Sequence, residues 1–396
     1  MAQTVRVAAI QAKRRTIPYR VGTADEALGL VRANLAELGA LADTAAQRGC
    51  HIIAFPEDSL GTLEWEAAHW GTPVPRSACP TVPGERTRLD KPAVAPTDSG
   101  KEVAELLRPA EQEMLARFGE VAAKHGIHLI CCNDCVEGDK VYNTAILLGR
   151  DGREIGRYHK VQLPLAEQSR GRGTGFPVFE APGIGTVGLC ICYDMLFPET
   201  TRALALAGAD IVFHLTMGGA SMASPDASLA AFRTRAAENF IYVVVAFRGG
   251  GSLVISPKGE ILADGGQEPD AIVAADIDPA GGRDAGDALG GITSDFRARL
   301  FRERVPSAYG ILMSERPPIL EKLKDVPVPS PEVAAALCAE GLTTGADAFY
   351  EAERWLAEGR VQEATRRFEE LAEHFGTLWI GRVARSRTAA REPGQL

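Results

Sequence analysis

The segment from Thr186 to Glu199 constrains the fold of this chain more than any other. A run of apolar and β-branched residues from Thr186 stops at Cys192, and Pro198 stands where a helix would begin. This order predicts a buried strand that ends in a thiol and leads into a helix. Side chains at the carboxyl ends of such strands face the crevices where α/β proteins bind ligands, so Cys192 is a candidate nucleophile. A buried core cysteine is the alternative.

Strands and helices alternate on both sides of this segment. Helical spacing of apolar residues predicts a helix over Ala24–Arg48 before a strand at His51–Phe55, and a helix over Glu111–His125 before a strand at Ile127–Cys132. The other predicted elements are strands at Val141–Leu148, Glu154–His159, Asp210–Leu215, Ile241–Phe247, Ser252–Ser256, Glu260–Leu262 and Ala271–Asp276, and helices at Pro198–Ala207 and Asp226–Asn239. This order indicates an α/β fold with a mixed sheet that carries helices.

Composition narrows the classes of protein that the chain can belong to. With 396 residues, 45% of them hydrophobic, the chain can bury a large core in one large or two ordinary domains. A net charge of −9 argues against an extended nucleic-acid surface. Met1–Gln11 has no apolar signal core, and no run of 18 apolar residues occurs, so we expect a cytoplasmic protein that does not cross a membrane.

Cysteine spacing gives little support for a metal site. The eight cysteines are scattered, and reduced thiols are expected. Cys132 and Cys135 form a C-x-x-C pair, but no second pair of cysteines or histidines lies nearby to complete a zinc site. We therefore expect no structural metal.

Two segments fall outside the alternating pattern. Gly61–Gly100 is rich in Pro, Gly and Thr and is too long for a plain connection, so we expect a loop that shapes a binding site. Around residues 326–331, three prolines mark a linker to a helical region. The helices predicted there are Glu332–Cys338, Ala346–Leu356 and Val361–Phe375. Part of a single tetratricopeptide-like unit is visible, which favours a docked helical appendage over a repeat array.

Glu57, Lys160 and Cys192 each follow a predicted strand, so their side chains can meet at one edge of a sheet. A thiol with an ordinary pKa of about 8.5 is mostly protonated at neutral pH, so its attack on an amide carbon needs a base. Glu57 would take that proton and return it to the leaving amine. Lys160 would stabilise the oxyanion together with a backbone N–H near Cys192.

The segments around these residues resemble the motifs of the nitrilase superfamily of carbon–nitrogen hydrolases. The matching segments are Ala54–Glu57, Tyr158–Lys160 and Cys190–Glu199, with a late element at Arg304–Leu312. The resemblance implies a four-layer αββα sandwich that is completed by homodimerisation and needs no metal or cofactor. It divides the chain into a hydrolase domain, residues 1–325, and a small all-α C-terminal extension, residues 326–396.

The same resemblance implies a second catalytic glutamate between the lysine and cysteine motifs. Glu167 is the best match in this sequence, and Glu180 is the alternative. The segment around Glu167 departs from the family's pattern, since Gly173–Gly175 stands where Pro-Gly is expected.

The residues after the cysteine narrow the substrate. Tyr193 and Asp194 resemble the amidase and carbamoylase branches, which implies a small linear amide or N-carbamoyl substrate that is cleaved through a thioester. Tyr193, Thr216 and Met217 are the candidate substrate-binding residues. A nitrilase is one alternative, and a regulatory scaffold that presents its C-terminal helices to a partner is another. Strand alternation predicts that Cys190 faces the same side as Cys192, one step deeper, as a core residue.

Overall fold

Two six-stranded mixed sheets form the centre of the protein in the computed structural model, which describes residues 4–70, 98–217, 225–280, 286–289, 292–376 and 378–389. The strands of the first sheet are β1 (Val5–Gln11), β2 (Ile52–Ala54), β3 (His128–Glu137), β4 (Lys140–Leu148), β5 (Glu154–His159) and β12 (Ala271–Ile277). Their order is β12-β1-β2-β3-β4-β5, and β1, β2 and β3 run parallel. The outer strands β12, β4 and β5 pair antiparallel to their neighbours.

The second sheet repeats this plan. Its strands are β6 (Val178–Ala181), β7 (Gly185–Ile191), β8 (Ile211–Thr216), β9 (Tyr242–Phe247), β10 (Leu253–Ile255) and β11 (Ile261–Asp264). The order is β11-β10-β9-β8-β7-β6, again with three parallel strands, β7, β8 and β9, in the centre. A separate hairpin pairs β13 (Gly286–Leu289) with β14 (Ile292–Asp295).

Helices cover the outer face of each sheet. The helices before the C-terminal region are α1 (Ala24–Gln47), α2 (Leu63–His69), α3 (Asp98–His125), α4 (Pro198–Leu206), α5 (Pro225–Asn239), α6 (Phe296–Glu303) and α7 (Ile319–Lys322). One core layer lies between the first sheet and α1 with α3, a second between the two sheets, and a third between the second sheet and α4 with α5. This arrangement confirms the predicted αββα sandwich.

Local sequence explains how the elements begin and pack. The Thr23 hydroxyl accepts a hydrogen bond from the Glu26 N–H at the start of α1, and Gly49 follows its end with a φ of 79°. In β7, Leu189 and Ile191 face the layer between the sheets while Cys190 faces the outer layer, as strand alternation requires. The central strands are therefore apolar on both faces.

Two elements are longer than the sequence predicts. Helix α3 begins at Asp98 rather than Glu111 and contains Pro109. The turns before Pro109 bury Val103, Leu106 and Leu107 against the first sheet, and this burial outweighs the hydrogen bond that the proline removes.

Strand β3 continues to Glu137 instead of ending at Cys132. Its Cys132 faces the layer between the sheets, and Cys135 faces the outer layer. Because the two thiols of the C-x-x-C pair point to opposite faces of the sheet, they cannot bind one metal ion together.

Within residues 331–376 and 378–389, four helices form the C-terminal region: α8 (Pro331–Leu342), α9 (Thr344–Ala357), α10 (Val361–Phe375) and α11 (Trp379–Ala389). We call them the C-terminal helical unit. Phe349, Phe368, Phe375 and Ile380 lie in its own apolar core. Helix α11 is not predicted from the sequence, and the boundary at residue 325 remains a prediction. None of the helices in the described ranges is both long enough and apolar enough to cross a bilayer.

Candidate active site

The candidate site lies at one end of the sandwich and draws its residues from both sheets. Glu57 follows β2 and Lys160 follows β5, so both come from the first sheet, whereas Cys192 follows β7 of the second sheet. The Lys160 Nζ lies 3.1 Å from the Glu57 Oε1. The charges of Glu57 and Lys160 both act on the Cys192 thiol. The structure thus brings together three side chains that are more than 30 residues apart in sequence.

Glu57 is held by donors on three sides. Its Oε1 accepts hydrogen bonds from the Asn143 Nδ2 at 2.7 Å and from Lys160, and its Oε2 accepts one from the Met217 N–H at 3.2 Å. The side chain is only 4% exposed. A buried carboxylate with three donors is fixed in position and is kept away from bulk water.

Lys160 is completely buried between two carboxylates. Its Nζ donates to the Glu167 Oε2 at 2.8 Å as well as to Glu57. Burial by itself lowers the pKa of the ammonium group, but the charges of Glu167 and Glu57 outweigh it and hold the pKa of Lys160 well above its usual value. Lys160 is therefore a permanent cation in the site.

The backbone of Cys192 is not extended like that of strand β7, which precedes it. Its φ is 45°, in the left-handed region that a residue other than glycine seldom adopts. Burial and the charge of Glu57 raise the pKa of the Cys192 thiol to about 12, although Lys160 and a hydrogen bond with the Thr216 side chain act in the opposite direction. The resting sulfur is therefore a thiol, and it needs a base to become a nucleophile.

The structure distinguishes between the two candidates for the second glutamate. Glu167, in a short 3₁₀ turn at Leu165–Glu167, contacts Lys160 directly. Glu180 lies in β6, where it accepts a hydrogen bond from the Thr186 hydroxyl. Glu167 is therefore the carboxylate that joins the cluster.

The predicted substrate-binding residues occupy different positions. Thr216 ends β8 and Met217 follows it, and both lie inside the cluster, where they hold Cys192 and Glu57 through the contacts given above. Tyr193 is half-buried, and its ring packs edge-on against Phe197 at 5.5 Å. Residues 71–97 of the predicted binding loop lie outside the described residues.

Cys190 is a core residue, as predicted, but it does not face the same side as Cys192. It lies fully buried in the outer layer, with its Sγ 3.5 Å from the His214 Nδ1, whereas Cys192 packs against the layer between the sheets. The prediction was wrong because strand alternation ends at Ile191, where the left-handed backbone of Cys192 turns the side chain around.

Asp194 is a buried residue that connects two segments of the site. This role is not predicted from the sequence. The Asp194 carboxylate accepts hydrogen bonds from the Tyr158 hydroxyl at 2.6 Å and from the N–H groups of Gln162 and Ile191, both at 2.9 Å. Burial raises the pKa of Asp194 to about 6, so the group is ionised at neutral pH. This carboxylate joins the segment that carries Lys160 to the turn that carries Cys192.

A second buried cluster supports the turn that holds Glu167. The Arg170 Nε donates to the Asp134 Oδ2 at 2.6 Å, and its Nη2 lies 3.5 Å from the Glu66 Oε2. Burial, followed by the charge of Asp134, raises the pKa of Glu66 well above its usual value. No spacing in the sequence links these three residues, which come from α2, from β3 and from the loop after the Leu165–Glu167 turn.

Comparisons with known proteins show what the chain is similar to. A nitrilase from Pyrococcus abyssi is 35% identical over 182 residues, which cover 42% of this chain and 66% of that protein. A deaminated glutathione amidase from Synechocystis is 34% identical over 164 residues, which cover 36% of this chain and 60% of that protein. The matches to both relatives thus span less than two thirds of their length.

A solved structure and a family profile cover more of the chain. The crystal structure of an amidase from Nesterenkonia sp. has the same fold, with a TM-score of 0.51 and 24% identity, over 76% of this chain and 96% of that one. The profile of the carbon–nitrogen hydrolases matches residues 6–286. The chain is a member of the carbon–nitrogen hydrolase family.

Proposed function

We propose that the protein is a thiol amidase that cleaves the C–N bond of a small linear amide or N-carbamoyl compound. The observation that carries this proposal is the buried cluster in which Glu57 contacts Lys160 and both charges act on the Cys192 thiol. Cys192 is the nucleophile, Glu57 the base and acid, and Lys160 the cation that stabilises the oxyanion. Glu167 keeps Lys160 charged and oriented.

The reaction begins with transfer of the thiol proton. Glu57 takes the proton from Cys192 as the sulfur attacks the carbonyl carbon, and the carbonyl oxygen becomes an oxyanion that accepts from the Lys160 ammonium group and a backbone N–H near Cys192. Collapse of the tetrahedral intermediate breaks the C–N bond. Glu57 then gives its proton to the leaving amine, and a thioester remains on Cys192.

Water completes the cycle by the same route. Glu57 removes a proton from a water molecule, whose oxygen attacks the thioester carbon, and Lys160 again stabilises the oxyanion. When the carbon–sulfur bond breaks, the proton returns from Glu57 to the Cys192 sulfur and the acid product leaves. Because each half-reaction passes one proton through Glu57, substituting glutamine there should block both halves.

The acyl-enzyme intermediate provides the direct test. Wild-type protein is incubated with a panel of amides and N-carbamoyl compounds, quenched in acid and analysed by intact-protein mass spectrometry. We expect the protein mass to rise by the mass of one acyl group, and we expect Cys192→Ala to abolish this increase. Cys190→Ala is the matched control, because Cys190 lies in the outer core layer, and it should keep the adduct. Equal loss in both variants would contradict the assignment.

Nitrile hydrolysis is the second candidate, because one relative is named a nitrilase. The Tyr193–Asp194 pair after the cysteine favours amides, as it does in the amidase branch that the sequence resembles. Parallel assays with a nitrile and the amide of the same acid separate the two. Faster release of acid from the nitrile would contradict the amidase proposal.

We also propose that the protein self-associates through the segment 305–328. The exposed fractions of Ile311, Leu312 and Met313 in this segment are 57%, 59% and 86%. Ile319 and Leu320 are also exposed. A contiguous apolar stretch of this kind is typical of an interface between chains. Sedimentation velocity at several concentrations tests the proposal, and a monomer at all of them would refute it. Leu312→Asp should shift a dimer to monomer.

A further inference from the structure

The C-terminal helical unit packs against the segments that carry the candidate site. Helix α8 packs on the Leu165–Glu167 turn and on α2, which follows the Glu57 loop. Cys338 of α8 is half-exposed at this contact, and the charges of Glu167 and Lys160 act on its thiol. One side of the unit therefore lies directly beside the Lys160–Glu167 pair.

Three other contacts place the unit over the end of the sandwich. The Asp347 carboxylate of α9 accepts from the Tyr19 hydroxyl and from Arg20, and the Arg14 guanidinium lies 4.6 Å above the Trp379 ring of α11. Arg14, Tyr19 and Arg20 belong to the loop after β1, which runs parallel to β2. Since the carboxyl ends of parallel strands share one edge, these contacts lie at the edge where Glu57 follows β2.

Arg382 of α11 stands out among the cations of the unit. It lies one helical turn after Trp379, so both side chains project from the same face of α11. Arg382 is half-buried, and its charge interacts with the Cys192 sulfur. Burial lowers the pKa of Arg382, but a guanidinium group remains protonated in proteins.

The neighbouring arginines of the same helix have partners. Arg385 donates to the carbonyl groups of Ala372 and Gly376, and Arg387 forms an ion pair with Glu353. Within the described ranges, Arg382 makes neither a side-chain hydrogen bond nor an ion pair. A partly desolvated cation without a counterion is unfavourable unless a ligand supplies the opposite charge.

A second guanidinium group, that of Arg248, lies at the same edge and has one unpartnered nitrogen among the described residues. Arg248 follows β9 and is buried, with its Nη1 paired to Asp58, the residue after Glu57. Its Nη2 has no hydrogen-bond partner among the described residues. The charges of Arg248 and Arg14 interact with each other and with the Glu64 carboxylate.

We propose that Arg382 binds a carboxylate of the substrate, so that the C-terminal helical unit supplies part of the substrate-binding site. This inference rests on the proposed amidase function. The substrate would then be an amide or ureido compound with a carboxylate a few bonds from the scissile carbon. The anion could lie on the acyl side, as in a monoamide of a dicarboxylic acid, or on the leaving side, as in an N-carbamoyl amino acid.

Binding to the full-length Cys192→Ala variant tests the inference without turnover. The probes are succinamate and N-carbamoylglycine, each compared with an uncharged analogue, butanamide or N-ethylurea, by isothermal titration calorimetry. We expect at least one anion to bind about 10-fold or more tightly than its neutral partner, because a charge-assisted contact contributes roughly the corresponding free energy. The anion that gains affinity identifies the side of the scissile bond on which the carboxylate lies.

Substitutions at Arg382 are then added to Cys192→Ala. Arg382→Gln and Arg382→Ala should weaken binding of the preferred anion by about 10- to 100-fold and leave the neutral analogue within about 2-fold. Arg387→Ala is the matched control on the same helix and should leave both affinities unchanged. A lowered Tm would reveal a folding defect in either variant. If one variant is defective, the other still tests the role of Arg382.

The results separate this inference from the function on which it rests. Equal affinity for charged and neutral probes, or an unchanged anion preference in both Arg382 variants, would overturn the role of Arg382. Failure of wild-type protein to form any Cys192 adduct would overturn the amidase proposal. The calorimetry does not depend on that adduct.

Discussion

Removal of the Asp194 carboxylate is expected to damage both the stability of the fold and the candidate site. Asp194 accepts three hydrogen bonds that tie the segment carrying Lys160 to the turn carrying Cys192. In Asp194→Ala, the Tyr158 hydroxyl and the N–H groups of Gln162 and Ile191 lose their acceptor. Two of these three donors belong to the backbone and cannot rotate to find another partner.

The size of the effect follows from these contacts. Each buried donor left without a partner costs about 1–3 kcal/mol, so Asp194→Ala should lower the free energy of unfolding by about 3–6 kcal/mol, since water can reach the partly buried Gln162. Tyr158→Phe removes the charge-assisted hydrogen bond to Asp194 and the weaker one that the Tyr158 oxygen accepts from the Val161 N–H, and should cost about 2–4 kcal/mol. Asp194→Asn should fall between them, because it keeps one acceptor oxygen but places an amide N–H₂ among donors.

Activity should fall along the same series. A displacement of about 1 Å between Lys160 and Cys192 lowers kcat about 100-fold, so Asp194→Ala should be at least this impaired. Urea unfolding followed by far-UV circular dichroism gives the stabilities, and steady-state assays with the preferred amide give kcat. The reasoning would be refuted if Asp194→Ala unfolded at the wild-type urea midpoint, or if Tyr158→Phe were the less stable of the two.

Three further predictions concern buried groups. Lys160→Met should lower the free energy of unfolding by about 3–5 kcal/mol, because Glu57 and Glu167 lose their shared cation, and urea unfolding near neutral pH measures this loss. Burial lowers the pKa of His214 to about 3, below its ordinary value of 6.5. Because the unfolded chain then binds the proton more strongly, His214 contributes stability above pH 6.5 that is lost as the pH falls toward 3. His214→Gln should therefore make the free energy of unfolding fall less steeply between these pH values, and an unchanged slope would contradict the assignment. Phe368→Ala should destabilise the C-terminal helical unit by about 3–5 kcal/mol, detected as earlier loss of hydrogen-exchange protection in α9 and α10 than in wild type.

Much of the fold could be predicted because its strands are short, apolar and bounded by turn residues. The hairpin of β4 and β5 lies within one residue of its predicted position, since Asp151 and Gly152 mark its turn. The strand ends that carry Glu57, Lys160 and Cys192 are equally clear, because each apolar run stops at a polar or reactive residue. Alternation of strands and helices then favours α/β layers, and the observed sandwich confirms them.

Other features depend on contacts that no local pattern encodes. The direction of the Cys190 side chain could not be predicted, because alternation does not reveal that Cys192 adopts a left-handed backbone. Two of the three partners of Asp194, Tyr158 and Gln162, lie more than 30 residues away, and a lone aspartate after a strand has no signal for them. The position of Arg382 depends on how the C-terminal helical unit docks, which amphipathic spacing alone does not determine.

The base and the nucleophile of the candidate site belong to different sheets, so their separation depends on the thickness of the layer between the sheets. That layer is filled by interlocking apolar side chains, among them Ala54 just before the Glu57 loop and Ile191 just before Cys192. A substitution that adds or removes one methyl group there would change the distance between carboxylate and thiol without touching either. Sequence drift in this interior layer is therefore coupled to the chemistry.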